Sequence, residues 1–220
     1  MTKSEKDITG VIQILEKFTR RYRPPLSEFA DAQYKDPFKT LVATMLSART
    51  KDYVTEKTVE KLFSKADNWR AIWNMPLGEI ENLIKPVNFY RTKARHLKEL
   101  ARRIGKEFEG EVPKTLEELI TLPGVGRKTA NIVLAVAFKK DAIGVDTHVH
   151  RIMNQLGYVK TKVPQETEME LRMKLPKKLW KKINYNLVLF GQNICTPISP
   201  FCSRCPVRNF CRRVGVKKSR

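Results

Sequence analysis

Acidic residues are scarce in this 220-residue chain: 23 Asp and Glu stand against 43 Lys and Arg, for a formal charge of +20. Long hydrophobic runs are missing too, and without a stretch of about 18 apolar residues a transmembrane helix is excluded. The N-terminus, Met1 to Leu15, lacks the charged, apolar, small-residue order of a signal peptide, so the expected compartment is the cytoplasm, at the nucleoid. Cysteine is absent from the first 194 residues, which excludes a disulfide framework spread through a secreted chain. With only three histidines present, a metal site built from His148 and His150 is not expected. Sustained apolar–polar alternation and internal repeats are also lacking, so neither a strand-rich nor a repeat architecture is predicted.

What is present reads as a soluble, helical protein, with 41% hydrophobic and 30% charged residues. Its positive charge has a bland reading, a Lys-rich surface, and a functional one, a polyanion partner whose phosphates release counterions on binding. No basic amphipathic helix stands apart to favour a membrane surface. Apolar residues recur at helical spacing over 8–22, with Arg23-Pro24-Pro25 as the stop, and again over 38–47, 52–64, 69–74, 77–84 and 91–108. The predicted class is all-α.

Thr115 and Glu118 form a capping-box start for a short helix reaching about Leu122. Pro123-Gly124-Val125-Gly126 follows, then a second helix from Arg127 to Phe138, apolar on every side from Ile132 onward and therefore expected to be buried. Two glycines around one valine suit a tight hairpin presenting backbone N–H groups at a helix N-terminus, a ready anion site for DNA phosphate. An ordinary helix–helix turn would also use them. The longer string LPGVGRKTANIVL, followed by GVDTHVHRI, resembles the helix-hairpin-helix-GPD superfamily of DNA glycosylases, and its endonuclease III branch in particular. The motifs run in the family's order from LVATMLSART near residue 41 to Cys211.

That resemblance implies a bifunctional glycosylase and AP lyase of base-excision repair, acting on double-stranded DNA with damaged bases or abasic sites. Cutting an N-glycosidic bond leaves sugar C1′ open to a nucleophile, and an amine there forms a Schiff base that permits elimination of the 3′ phosphate. Lys128, in the first turn after the hairpin, matches the family's nucleophile; the helix dipole disfavours its charge, and Arg127 beside it pushes the same way. Asp146, 18 residues on, matches the essential aspartate and is also a natural N-cap. Gly124, Gly126, Arg127 and His148 are candidate DNA contacts.

Cys195, Cys202, Cys205 and Cys211 follow C-x6-C-x2-C-x5-C. Spacing alone leaves zinc and iron–sulfur as rivals, although zinc sites usually pair two C-x2-C knuckles and one is present here. The family spacing implies a 4Fe–4S cluster. The loop between the first two cysteines carries no Lys or Arg, which shifts expected phosphate contacts to Arg204, Arg208 and the basic tail. Arg49 stands where the family commonly inserts a glutamine into the duplex, and Phe89 where it commonly inserts a leucine; a core aromatic is the alternative for Phe89. Asp52 reads either as a pocket acid or as a helix cap.

The resemblance further implies a monomer of two helical lobes, 25–136 with the hairpin, and 1–24 with 137–220 carrying the cluster loop at 195–211, and DNA across the cleft between them. Oxidised pyrimidines are the expected substrates. The alternatives are a monofunctional thymine or uracil mismatch glycosylase, an adenine glycosylase, and a non-catalytic DNA-binding module holding zinc. Relatives of the two glycosylase types commonly lack the lysine, and the adenine enzymes carry an extra C-terminal domain.

Overall fold

In a computed structural model the described residues are 3–22 and 36–220. Among them are eleven α-helices and no strand, in keeping with the all-α class. The expected stop at Arg23-Pro24-Pro25 lies outside the described residues. None of the described helices is long and apolar enough to cross a membrane. The chain forms two compact units, one whose described residues are 36–140 and one from the N-terminal helix α1 (Lys3–Thr19) with Asp141–Arg220.

The first unit is built from α2 (Pro37–Ser47), α3 (Asp52–Phe63), α4 (Trp69–Asn74), α5 (Leu77–Ile84), α6 (Tyr90–Glu107), α7 (Leu116–Leu119) and α8 (Arg127–Val136). Asp36 starts α2 by accepting from Lys39 N at 2.9 Å, and Pro37 at the first helical position gives up an N–H that has no helical acceptor anyway. Phe38 and every residue from Thr40 to Leu46 are buried, so α2 is the central helix, packed on α3, α6 and α8. Full burial of each of its larger aliphatic side chains is worth about 2 kcal/mol. One stripe of α6, from Lys93 through Leu97 and Leu100 to Ile104, is buried, and α6 packs against α4 and α5. Burial along α8 is narrower than its composition predicts: Ile132–Leu134 are buried, but Ala135 to Phe138 are half-buried. The helix stops at Val136, and the chain turns through a left-handed Lys139 whose neighbours Phe138 and Lys140 bond back to the Val133 and Leu134 carbonyls.

In the second unit, α1 and α9 (Thr147–Leu156) both pack on α11 (Trp180–Asn193), and α10 (Pro164–Lys174) packs on α9. Ile12, Leu15, Val149, Ile152, Leu171, Ile183, Leu187 and Phe190 form its core. Polar anchors set the register: Thr19 Oγ1 donates to Asn186 Oδ1 at 2.7 Å, and Asn184 Nδ2 to the Gly144 carbonyl at 2.7 Å.

Candidate active site

The hairpin between α7 and α8 is held at each end by local chemistry. Thr115 Oγ1 accepts from Glu118 N at 3.3 Å, the N-cap half of the expected capping box, and donates to the Glu118 carboxylate at 2.6 Å, so Glu118 meets the Thr115 hydroxyl where a full box would have it meet the Thr115 N–H. Gly124 has φ +75°, and an added Cβ would lie 2.9 Å from His96 Nδ1 and 3.1 Å from Met45 Sδ, so conformation and packing both require glycine. Both glycines are exposed, but Gly126 differs: its φ is −92°, and an added Cβ would meet open space. Gly124→Ala is expected to lower stability by about 1–2 kcal/mol in urea unfolding, whereas Gly126→Ala leaves it within about 1 kcal/mol. Equal losses for the two would contradict the packing difference. Gly126 is the N-cap of α8, so Arg127 and Lys128, both half-buried, lie in its first turn at the positive end of the helix dipole.

Asp146 stands on the other unit. It is half-buried and N-caps α9, its Oδ1 accepting from His148 N and Val149 N at 2.9 Å each. The cap anticipated from sequence is therefore present, and it fixes the carboxylate's direction. His148 Nδ1 lies 3.3 Å from Arg151 Nη2, and the same guanidinium nitrogen donates to the Cys195 carbonyl at 2.5 Å. One arginine thus ties the first turn of α9 to the first cysteine. Burial pushes its pKa down, against the attraction of Cys195 and Asp146. His150 faces Thr167 Oγ1 at 2.7 Å.

The candidate wedges come together. Arg49 and Phe89 are both exposed and both left-handed, with φ 56° and 59°, and the Arg49 guanidinium carbon lies 5.9 Å from the Phe89 ring centre. At 61% exposure Phe89 is not a core aromatic. Asn88 Nδ2 donates to the Arg49 carbonyl, and Asn88 N to Thr50 Oγ1 at 3.2 Å, stitching the two loops. Behind them Lys93 donates to the Leu46 and Ala48 carbonyls at 2.7 Å each and to Thr50 Oγ1 at 3.2 Å. Burial pushes its pKa down to about 8. Asp52 is not the cap of α3: Lys51 holds that position, and Asp52 is the first helical residue.

The four cysteines line one cavity of about 30 Å³, walled by Ile152, Leu156, Phe190, Ile194, Phe201 and Val207, with Arg208 and Arg213 at its edge. No carboxylate or imidazole is among its lining residues. Among the described residues no three His, Cys, Asp or Glu side chains form a group that could hold a metal ion; the four soft donors instead share one apolar lining with Arg208 and Arg213, and that donor chemistry fits a thiolate-held, anionic group. Burial pushes the Cys195 thiol up to about 12 and raises Cys205 and Cys211, so ligation must displace protons that burial favours. Gln155 links the shell to α9: Cys195 Sγ donates to its side-chain oxygen at 3.0 Å, and Val214 N to its carbonyl at 3.0 Å. Arg204 stacks 4.6 Å from the Phe201 ring centre, and Arg208 is exposed.

Sequence reading missed Lys93, Arg151 and Gln155. For Lys93 a signal existed: it occupies the apolar stripe of α6, four residues before Leu97. Arg151 and Gln155 had none, because their partners lie about 40 positions away.

Residues 42–178 match the HhH-GPD superfamily, described as base excision DNA repair proteins. The chain is 45% identical to endonuclease III of Thermotoga maritima over 199 residues, 90% of this chain and 89% of that one. It is 39% identical to endonuclease III of Bacillus subtilis over 188 residues, 85% of each. Among solved structures it resembles a trapped endonuclease III–DNA covalent intermediate (TM-score 0.84, 34% identity, 97% of both chains). It also resembles a thermostable thymine-DNA glycosylase (TM-score 0.80, 26% identity, 96% of this chain and 98% of that one).

Proposed function

We propose, for a chain that belongs to the HhH-GPD superfamily and within it to the endonuclease III family, that its substrates are oxidised pyrimidines in duplex DNA. The chain is a base-excision DNA glycosylase with AP lyase activity and binds DNA. In the proposed assignment the neutral Lys128 amine attacks C1′, the bond to the base breaks, and the base leaves with a proton. The sugar ring then opens: the nitrogen lone pair forms the C1′=N bond as the C1′–O4′ bond breaks and O4′ takes a proton, and the resulting iminium acidifies C2′; loss of that proton expels the 3′ phosphate by β-elimination, and water then hydrolyses the iminium to release the lysine. Asp146 is the carboxylate that stabilises the cationic sugar, held in place by its two backbone donors.

Gly124, Gly126 and Arg127 are assigned to a phosphate at the hairpin, His148, Arg204 and Arg208 to the DNA backbone, and Arg49 and Phe89 to the gap left by the extruded base. Cys195, Cys202, Cys205 and Cys211 are assigned to a 4Fe–4S cluster, which when bound would pin a loop too short to hold itself by burial. The single observation that supports the reading best is an amine in the first turn behind the hairpin, in a chain resembling a covalently trapped endonuclease III over 97% of its length. The mismatch alternative draws on the likeness to the thymine-DNA glycosylase.

The test offers the purified protein three duplexes, carrying a thymine glycol, a G·T mismatch or an abasic site, and follows base release and strand cutting. Release of the glycol with coupled cutting supports the proposal; release of thymine from G·T alone sinks it in favour of the mismatch enzyme. Asp146→Asn separates the two roles of this residue. Asparagine caps helices as well as aspartate, so stability should stay within about 0.5 kcal/mol while single-turnover cutting falls roughly 100-fold. A variant cutting at the wild-type rate would leave Asp146 as a cap only.

A further inference from the structure

We propose that Lys93 is a positioning residue that locks the Arg49 and Phe89 loops into a single insertion element by capping the C-terminus of α2 from a neighbouring helix. The proposal rests on the wedge reading of those two residues. An ammonium has three N–H donors and no acceptor, and Lys93 meets three acceptors: the Leu46 carbonyl, the Ala48 carbonyl and Thr50 Oγ1. The two carbonyls belong to the last turn and the C-cap of α2, where the backbone lacks helical donors and the dipole is negative. A cation there is favourable electrostatically, yet at 8% exposure it is costly to desolvate. A leucine or methionine would extend the apolar stripe of α6 without that cost. The lysine is thus used for what a hydrocarbon cannot do, which is to reach across 47 positions of sequence and end a helix.

What it ends is the loop that presents Arg49. Thr50 Oγ1 is shared: it accepts from Lys93 and also from Asn88 N, and Asn88 Nδ2 holds the Arg49 carbonyl. Lys93 therefore connects, through one hydroxyl, the loop before α3 with the loop before α6, where Phe89 sits. Both wedge residues are non-glycine residues in the left-handed region, a conformation that persists only when the surroundings over-determine it. A side chain that must displace a base from a stacked duplex gains from a rigid mount, because a loose one would have to be ordered at the moment of insertion.

The test places 2-aminopurine opposite a non-cleavable abasic analogue in a duplex and reads the fluorescence rise as the opposing base unstacks. Wild type should give the rise, and the pair Arg49→Ala plus Phe89→Ala should lose it; if that pair keeps it, the wedge reading itself fails. Lys93→Met retains the stem without the charge and should lose most of the rise. It should also lower kcat on a thymine glycol duplex by about tenfold or more with KM changed less than about threefold, and Lys93→Arg should restore part of both. The loss of cutting on a single-stranded abasic oligonucleotide, where no partner base needs displacing, should be several-fold smaller than the loss on the duplex. Thr50→Val removes the shared acceptor at a half-buried position and should give the same pattern, which keeps the proposal testable if Lys93→Met fails to fold. Wild-type fluorescence and kcat in folded Lys93→Met and in Thr50→Val, beside a silent Arg49/Phe89 pair, would overturn the clamp and leave the wedges standing.

Discussion

Lys128→Gln is expected to abolish the borohydride-dependent crosslink to abasic DNA and to reduce strand cutting by about 10⁴-fold or more. Hydride addition converts an iminium into a permanent amine bond, so the crosslink reports the Schiff base directly, and a glutamine amide has no nucleophilic lone pair with which to form one. The substitution should spare the fold. Lys128 is half-buried in the first turn of α8, its neighbours Thr129 and Ala130 carry the burial, and glutamine is nearly as good a helix former. Unfolding free energy should therefore stay within about 0.5 kcal/mol of wild type. Base release is the informative second readout. If the variant still releases thymine glycol at the wild-type rate while cutting is lost, then water rather than lysine displaces the base, and Lys128 acts only in the lyase step. A crosslink that persists points to a different amine.

Cys205→Ala should remove the visible absorbance near ~400 nm expected of an iron–sulfur cluster and lower the melting temperature by roughly 10 °C or more. The size follows from how little else holds the segment. Three of the four cysteines lie after residue 201, where, among the described residues, only short 3-10 turns are found and Val207 is the one apolar residue fully buried. Tertiary anchoring there consists of a few contacts, such as Val214 N to the Gln155 carbonyl and the Arg220 guanidinium 3.8 Å from the Phe201 ring centre. Alanine leaves three thiols facing an apolar cavity with an unfilled coordination position, and proteolysis should then cut first within 196–220. Because Arg151 links Cys195 to the first turn of α9, duplex cutting should fall as well, even though Cys205 is remote in sequence from Asp146. A colourless wild-type protein containing one zinc per chain would replace the cluster assignment by a zinc knuckle. The stability loss in Cys205→Ala should then be similar, since thiolate ligation of either metal ties down the same loop.

Contiguous patterns were legible from composition and spacing alone. Apolar spacing predicted α2 to α6 to within a few residues, Pro37 and the Thr115–Glu118 box marked two helix starts, and Gly124 with Gly126 marked the hairpin. These are interactions between residues a few positions apart, where the side chain nearly dictates the backbone. The basic surplus and four clustered cysteines were equally visible, because charge and ligand spacing need no fold to be counted. Even here tertiary context corrected details. The end of α8 is less buried than its apolar sequence implies, since the helix stops at Val136, and Asp52 begins α3 without capping it.

Only the tertiary structure decided whether Phe89 belonged to the core or the surface, and it decided by holding it left-handed and exposed beside Arg49. Only the tertiary structure closed four thiols around one cavity, tied Arg151 to Cys195 and gave Lys93 its three acceptors. The physical reason is the same in each case. Helix propensity, capping and turn chemistry act through neighbours in the chain, whereas a buried donor is defined by acceptors up to 47 positions away that no local pattern names. The sequence by itself determined an all-helical protein with a hairpin, an amine behind it and a thiol cluster; the packed fold determined which remote polar groups hold those parts in place.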